Sequence, residues 1–395
     1  MYIRQIIVLL LSIICYQGHG QANTEVYLFN MKYKDGLPVL ENPRNISNNE
    51  GYDNQPSFYN DHIVLYAATR DGQTDILKFN ILEGSTTTWI TDTPDGSEYS
   101  PLRIPKENGI SAIRLDIDGL QRLYEYDMVS GASEILLGNL KVGYHVWYNE
   151  DIIVSSVLVD NRLDLVVSNL IDGTNITQQK KVGRSLQKIP NTDLISYISK
   201  ENKIWELKSL NPVTGATKVI TTINGTEDIC WLPDGTLVAG KGKVLLKFNP
   251  KKDTEWSVLQ RFTDKNINAI TRLAVNSQGS RLAFVAEVSP EVIVQKQLDA
   301  YNKRDIEAFL DTYTDDVKVF NFPEELKYTG KKKMRENYAP FFESTPDLNC
   351  EIKNRISIGN KVIDEEYLTI NGSNFSAVAI YEVENGKIAK VTFVR

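Results

Sequence analysis

Cysteine and histidine are scarce in this chain, with three of each among 395 residues. So few cysteines exclude a disulfide scaffold, and so few imidazoles leave little from which to build a zinc cluster or a His-based triad. Basic charge is not in excess either: 44 Lys and Arg stand against 51 Asp and Glu, a formal charge of −7. A broad electrostatic footprint for nucleic acid or anionic lipid is therefore missing. No integral membrane span, metal or cofactor is expected. What is present describes folded globular protein: 42% hydrophobic and 24% charged residues, with 24 Gly and 14 Pro. The length suits two or three domains.

Residues 1–20 stand apart. Arg4 precedes the apolar run Ile6 to Ile14, which has signal-peptide length, and Gly18 and Gly20 suit cleavage near Gly20/Gln21. The expectation is an exported chain, periplasmic or extracellular. Cys15 raises a lipid anchor as the alternative, but Ile13 and Ile14 are poor neighbours for one, so soluble export is favoured. Cleavage removes Cys15 and His19 and leaves Cys230, Cys350, His62 and His145.

From Gln21 to Val288 the chain is nearly all strand and turn, and it repeats itself. An outer strand running into a Gly turn recurs as Leu77-Lys78-Phe79-Asn80 to Gly84, Tyr124-Glu125-Tyr126-Asp127 to Gly131, and Val166-Val167-Ser168-Asn169 to Gly173. An inner hairpin with a polar turn recurs as well, for example Phe58-Tyr59-Asn60-Asp61 before Ile63 and Trp231-Leu232-Pro233-Asp234-Gly235 before Leu237. Taking Phe58, Arg103, Trp147, Lys188, Trp231 and Leu273 as equivalent gives steps of 45, 44, 41, 43 and 42 residues. Four short strands in such a period predict a β-propeller, and six inner hairpins predict six blades. An outer strand at Tyr27-Leu28-Phe29-Asn30 precedes any inner hairpin. The N-terminal strands are therefore expected to complete the last blade, which removes a free sheet edge.

This pattern resembles the TolB-type propeller family, which is WD-repeat-like without the Trp-Asp dipeptide. Asp53-Asn54-Gln55-Pro56-Ser57-Phe58, Glu98-Tyr99-Ser100-Pro101 and Trp231-Leu232-Pro233-Asp234-Gly235-Thr236-Leu237 carry the resemblance. It implies a fold more than a function, since such propellers serve as binding platforms and as lids on hydrolases. No G-x-S-x-G elbow accompanies it.

Residues 289–395 read differently. Ser289-Pro290-Glu291 has the chemistry of a helix start, and Asp305 can cap a second short helix. A strand from Asp316 to Phe322, a third helix from Lys331 to Glu343 and four further strands follow, with hairpin turns at Gly359-Asn360 and Asn385-Gly386. The expectation is a small α+β cone, three helices on a curved antiparallel sheet. The segment resembles the SnoaL-like, or nuclear transport factor 2-like, domain. Gln297-Leu298-Asp299-Ala300-Tyr301-Asn302, Tyr313-Thr314-Asp315-Asp316-Val317 and Glu384-Asn385-Gly386-Lys387-Ile388 are among the stretches that carry it. The resemblance implies an apolar cup, used for chemistry by ketosteroid isomerases and polyketide cyclases and for binding or assembly by other members. The isomerase groups do not carry over: its Tyr falls on Gln297, its base on Asn321 and its Asp near Ala379. Asn accepts no proton at neutral pH and Ala donates nothing, so isomerase chemistry by that route is not expected.

Within the cup stand Tyr301, Tyr313, Phe320, Phe322, Tyr338, Phe342 and Tyr381, with Asp364 and Glu366 at alternate positions of one strand. The plain reading makes the aromatics core and the acids a solvated strand face. The sharper one is an apolar pocket in which Tyr301, Tyr313, Asn321, Tyr338, Asp364, Glu366 and Tyr381 orient a small ligand. Elsewhere, the Lys331 to Arg335 run reads as a solvated helix face and Asp116-Ile117-Asp118-Gly119 as a hairpin turn. His62 and His145 read as strand filling, and Trp147 and Trp231 as packing. Together these describe an exported two-module binding protein. The propeller would meet an envelope or secreted partner, and the cup would hold a small apolar ligand or form a homodimer through its sheet. The alternative is an enzyme (isomerase, cyclase or hydrolase) acting on a small apolar metabolite in the cup.

Overall fold

The computed structural model describes residues 23–83, 86–94, 96–223, 225–264 and 266–394. The expected leader, its cleavage point, Cys15 and the turn residue Gly84 lie outside the described residues.

Among the described residues, six four-stranded antiparallel sheets precede the first helix. Each has an edge strand drawn from one inner hairpin: Asn54–Asn60, Gly96–Arg103, Val142–Trp147, Val182–Lys188, Ile229–Trp231 and Asn268–Val275. Each edge strand touches the next in chain order, and the last touches the first. The N-terminal strand Thr24–Lys34 is inserted in the final sheet beside Arg281–Glu287, with Tyr27 opposite Phe284. The side-chain alternation of that strand explains the arrangement. Val26 and Leu28 pack with Tyr66 and Ala283, whereas Tyr27, Phe29 and Met31 pack with Leu282 and Phe284. One face thus fills the seam with each neighbouring sheet, so both faces are apolar. Trp147 and Trp231 are buried at matching positions, and their indoles donate to Ser111 Oγ and Ser196 Oγ, both at 2.8 Å.

The described residues that follow build three helices and one six-stranded sheet. Helix α1 spans Pro290–Lys303 behind the N-cap Ser289, and α2 spans Ile306–Asp311 behind Asp305, whose carboxylate accepts from Ala308 N at 3.1 Å. Helix α3 spans Lys331–Ser344. Its basic run is solvated and ion-paired, Lys331 to Asp315 at 3.1 Å and Lys333 to Glu336 at 2.8 Å, as expected for a surface face. Two features depart from expectation. Tyr313–Asn321 runs parallel to Lys387–Val394, so the sheet is mixed and not wholly antiparallel. Tyr313 follows α2 directly and starts beside Ile388, just past the Asn385-Gly386 turn, so both strands enter from the same end. Beyond Pro323 the chain also folds back to add Glu325–Thr329 as an extra edge strand. Cys230 and Cys350 are buried free thiols. Among the described residues no helix is long and apolar enough to cross a membrane.

Candidate functional site

A cavity of about 540 Å³ opens between the helices and the sheet of the C-terminal module. Helix α1 supplies Gln297, Leu298 and Tyr301 from one face, and α3 supplies Asn337, Tyr338 and Phe341. The sheet supplies Tyr313, Tyr328, Glu366, Leu368, Phe375, Tyr381 and Phe393, among others. Lys327 and Lys333 stand on the exposed side. Aromatic rings brace the wall from behind. Phe309 lies 4.7 Å from Tyr338 and 5.1 Å from Tyr313 by ring centroids, and Tyr301 meets Phe342 edge-on at 5.6 Å. The size and mixed lining are those of a small-molecule site.

Glu366 is the one carboxyl in that lining, and it is buried. Tyr381 donates its hydroxyl to Oε1 at 2.9 Å. Burial pushes the Glu366 carboxyl up to about 7, opposed by the Tyr381 hydrogen bond and reinforced by the nearby Asp364. Near neutral pH it therefore exists in both forms, as an O–H donor and as an acceptor. Burial also holds the phenols of Tyr313, Tyr338 and Tyr381 well above their ordinary range, so they remain hydroxyls. Cys350 reaches the same cavity, but burial pushes its thiol far up, followed by the charges of Glu366 and Asp364. An uncharged thiol is a poor nucleophile. Among the described residues no three His, Cys, Asp or Glu side chains gather as metal ligands do.

Tyr301, Tyr313, Tyr338, Glu366 and Tyr381 are brought together around the cavity, while Asn321 and Asp364 are not. Asn321 ends its strand where the chain folds back, and its amide donates outward to Glu325 Oε2 at 3.2 Å. Asp364 lies two positions along the strand from Glu366, a step of about 7 Å that takes it past the cavity. There Arg355 grips both its oxygens, at 2.7 and 2.6 Å. The solvated acidic face is corrected too: Asp364 is 1% and Glu366 6% exposed, because the helices cover that face. Phe342 joins the core behind the wall, Phe320 lies under Lys390 and Phe322 is at the surface, so none of the three lines the cup. Gln297 and Phe341 were legible as helix positions one turn from Tyr301 and Tyr338, whereas Asn337, next to Tyr338 in the chain, carried no such spacing. Tyr328 carried no such signal, because its strand was not foreseen.

A family model described as the SnoaL-like domain matches residues 294–391. Among solved structures, a TolB-type protein of Agrobacterium tumefaciens is similar over 68% of this chain and 99% of its own, at 10% identity and a TM-score of 0.54. That likeness concerns the fold, a β-propeller. An uncharacterised cystatin-fold protein of Novosphingobium aromaticivorans is 28% identical over 27% of this chain and 99% of its own, with a TM-score of 0.26. An NTF2-like protein of unknown function from Cytophaga hutchinsonii is 15% identical over 27% of this chain and 90% of its own, with a TM-score of 0.24. None of the curated proteins matches the chain.

Proposed function

We propose that this SnoaL-like domain, joined to a TolB-like propeller, binds a small, mainly apolar molecule whose polar group reaches Glu366 and Tyr381. The position of Glu366 carries the reading: a lone carboxyl, poised near neutrality, in the wall of a cavity lined mostly by aromatic and aliphatic side chains. Burial of the ligand's apolar body supplies affinity at roughly 25 cal/mol per Å². The carboxyl and the phenol supply orientation, since a ligand without a matching group leaves them unpaired. We read each four-stranded sheet as one blade of a six-bladed propeller over 21–288, and 289–395 as the cone that holds the cup. The leader at 1–20 supports export, where the propeller would serve as the platform for an envelope or secreted partner.

The test is calorimetric titration of the full chain with aromatic and sterol-like compounds, repeated on Glu366→Gln and Tyr381→Phe. Compounds that bind should lose about tenfold or more in affinity with Glu366→Gln, the size of one hydrogen bond to a charged group. Binding that both substitutions leave unchanged would overturn the reading. A second reading, that the cup is catalytic, is favoured by the same carboxyl, because a group near 7 both gives and takes a proton at working pH. Product analysis of each bound compound separates the two. Turnover abolished in Glu366→Gln with binding retained identifies an enzyme, and compounds recovered unchanged identify a binding module.

A further inference from the structure

The six inner edge strands of the propeller meet around a second cavity of about 140 Å³, lined by Ser100, Tyr144, His145, Arg184, Asp228 and Arg272, among others. Ser100 and Arg272 hold φ angles of 52° and 50°, and register shifts interrupt both of their strands. Such bulges re-aim side chains, and left-handed backbone at non-glycine residues is costly.

His145 is 5% exposed. The Trp147 indole, which can only donate, already gives its proton to Ser111 Oγ, and that oxygen lies 2.7 Å from His145 Nε2. Ser111 Oγ also reaches Leu102 O at 3.5 Å, so its second lone pair can accept from Nε2 or its proton can go to Nε2, and the imidazole tautomer follows that choice. His145 Nδ1 is buried without a hydrogen-bond partner, and so is Ser100 Oγ. Packing does not demand the imidazole, because the matching Trp231–Ser196 pair has Ile229 in its place.

Charge in the throat is unbalanced as well. Arg184 takes both oxygens of Asp228, at 3.2 and 2.5 Å, while Arg272 Nε stays 3.9 Å from that carboxylate. Arg272 donates at 3.1 Å to the Tyr144 hydroxyl oxygen. Two guanidiniums of the lining thus share one carboxylate.

We propose that this throat binds a carboxylate monoanion. Arg272 supplies the charge, the Ser100 and Tyr144 hydroxyls supply further donors, and His145 adds one in its Nδ1–H tautomer. The volume admits an acetate- to succinate-sized group, whether a free acid or the carboxylate end of a peptide. Calorimetric titration of the full chain with sodium acetate, against sodium chloride at equal ionic strength, tests it, with trialanine and trialanine amide as further arms. Acetate should bind saturably where chloride does not. Arg272→Gln should weaken that binding about tenfold or more, and Ser100→Ala, which removes only an unpartnered hydroxyl, about threefold or more. Trialanine binding tighter than acetate, with its amide inactive, assigns the carboxylate to a peptide end; acetate binding as tightly as trialanine assigns it to a free acid. A response to acetate equal to that of chloride overturns the proposal, as does acetate binding that Ser100→Ala leaves intact.

Discussion

Two carboxyls on one strand meet opposite fates. Arg355 closes on Asp364 with two short hydrogen bonds, so that acid is satisfied and faces nothing that could enter the cup. Glu366 receives one phenol and otherwise borders open cavity. The Tyr381 hydrogen bond favours the ionised form and so restrains the rise that burial imposes. Removing it in Tyr381→Phe should move the Glu366 titration above its wild-type midpoint near 7. Carbon-detected NMR of the labelled side-chain carboxyl reads this directly, and a midpoint that stays or falls would show that the phenol plays no part. Arg355→Met makes the complementary case. It leaves Asp364 buried and unpaired, which should cost about 3–5 kcal/mol in denaturant unfolding. A loss below about 1 kcal/mol, typical of exposed pairs, would contradict the buried pairing.

At the level of elements, closure of the propeller rests on a strand that arrives first and is placed last. Val26 is fully buried between Thr24–Lys34 and its neighbours, so Val26→Asp puts an unpaired charge in the seam. A loss of about 4 kcal/mol or more is expected, against less than about 0.5 for the same change at the exposed Val129. Comparable effects at the two sites in equilibrium urea unfolding would refute the closure. Closure was legible in the sequence because an outer strand stood unpaired at the front of a counted repeat. Ser289 and Asp305 were legible because capping chemistry is local. The strand Glu325–Thr329 was not, being five residues long with a weak apolar pattern. Nor was the parallel pairing of Tyr313–Asn321, which depends on which end of the sheet the chain re-enters. The separation of Asp364 from Glu366 was hidden for a related reason. Strand alternation assigns both to one face, and only the packing of Arg355 and α1 divides that face into a pair and a pocket.

Across the whole molecule, buried acids set the response to pH. Burial pushes Asp53, Glu98 and Glu366 each up to about 7, and it raises Glu25 and Glu287 as well. Unfolded carboxyls titrate near 4. Between about 4 and 7 the unfolded chain releases protons that the folded chain keeps, so these groups favour folding fully below about 4 and lose that contribution as pH rises to 7. Exposed acids with lowered values act in the opposite sense. Arg122 holds Asp118 down, Arg335 holds Glu307 down, and the backbone N–H of Gly372 does so for Asp347. Their contribution is present above about 4 and disappears below it. The two trends place the stability maximum in mildly acid solution. Calorimetry at matched ionic strength should therefore give a higher Tm at pH 5.5 than at pH 8, with each of the three strongly raised acids contributing on the order of 1–2 kcal/mol. Equal or higher stability at pH 8 would mean that these carboxyls ionise in place without penalty. Asp53→Asn and Glu98→Gln should flatten the pH dependence of the propeller's transition, and Glu366→Gln that of the C-terminal module. If any one of them flattens a single shared transition, the two modules unfold together, joined by contacts such as Lys387 to Glu50.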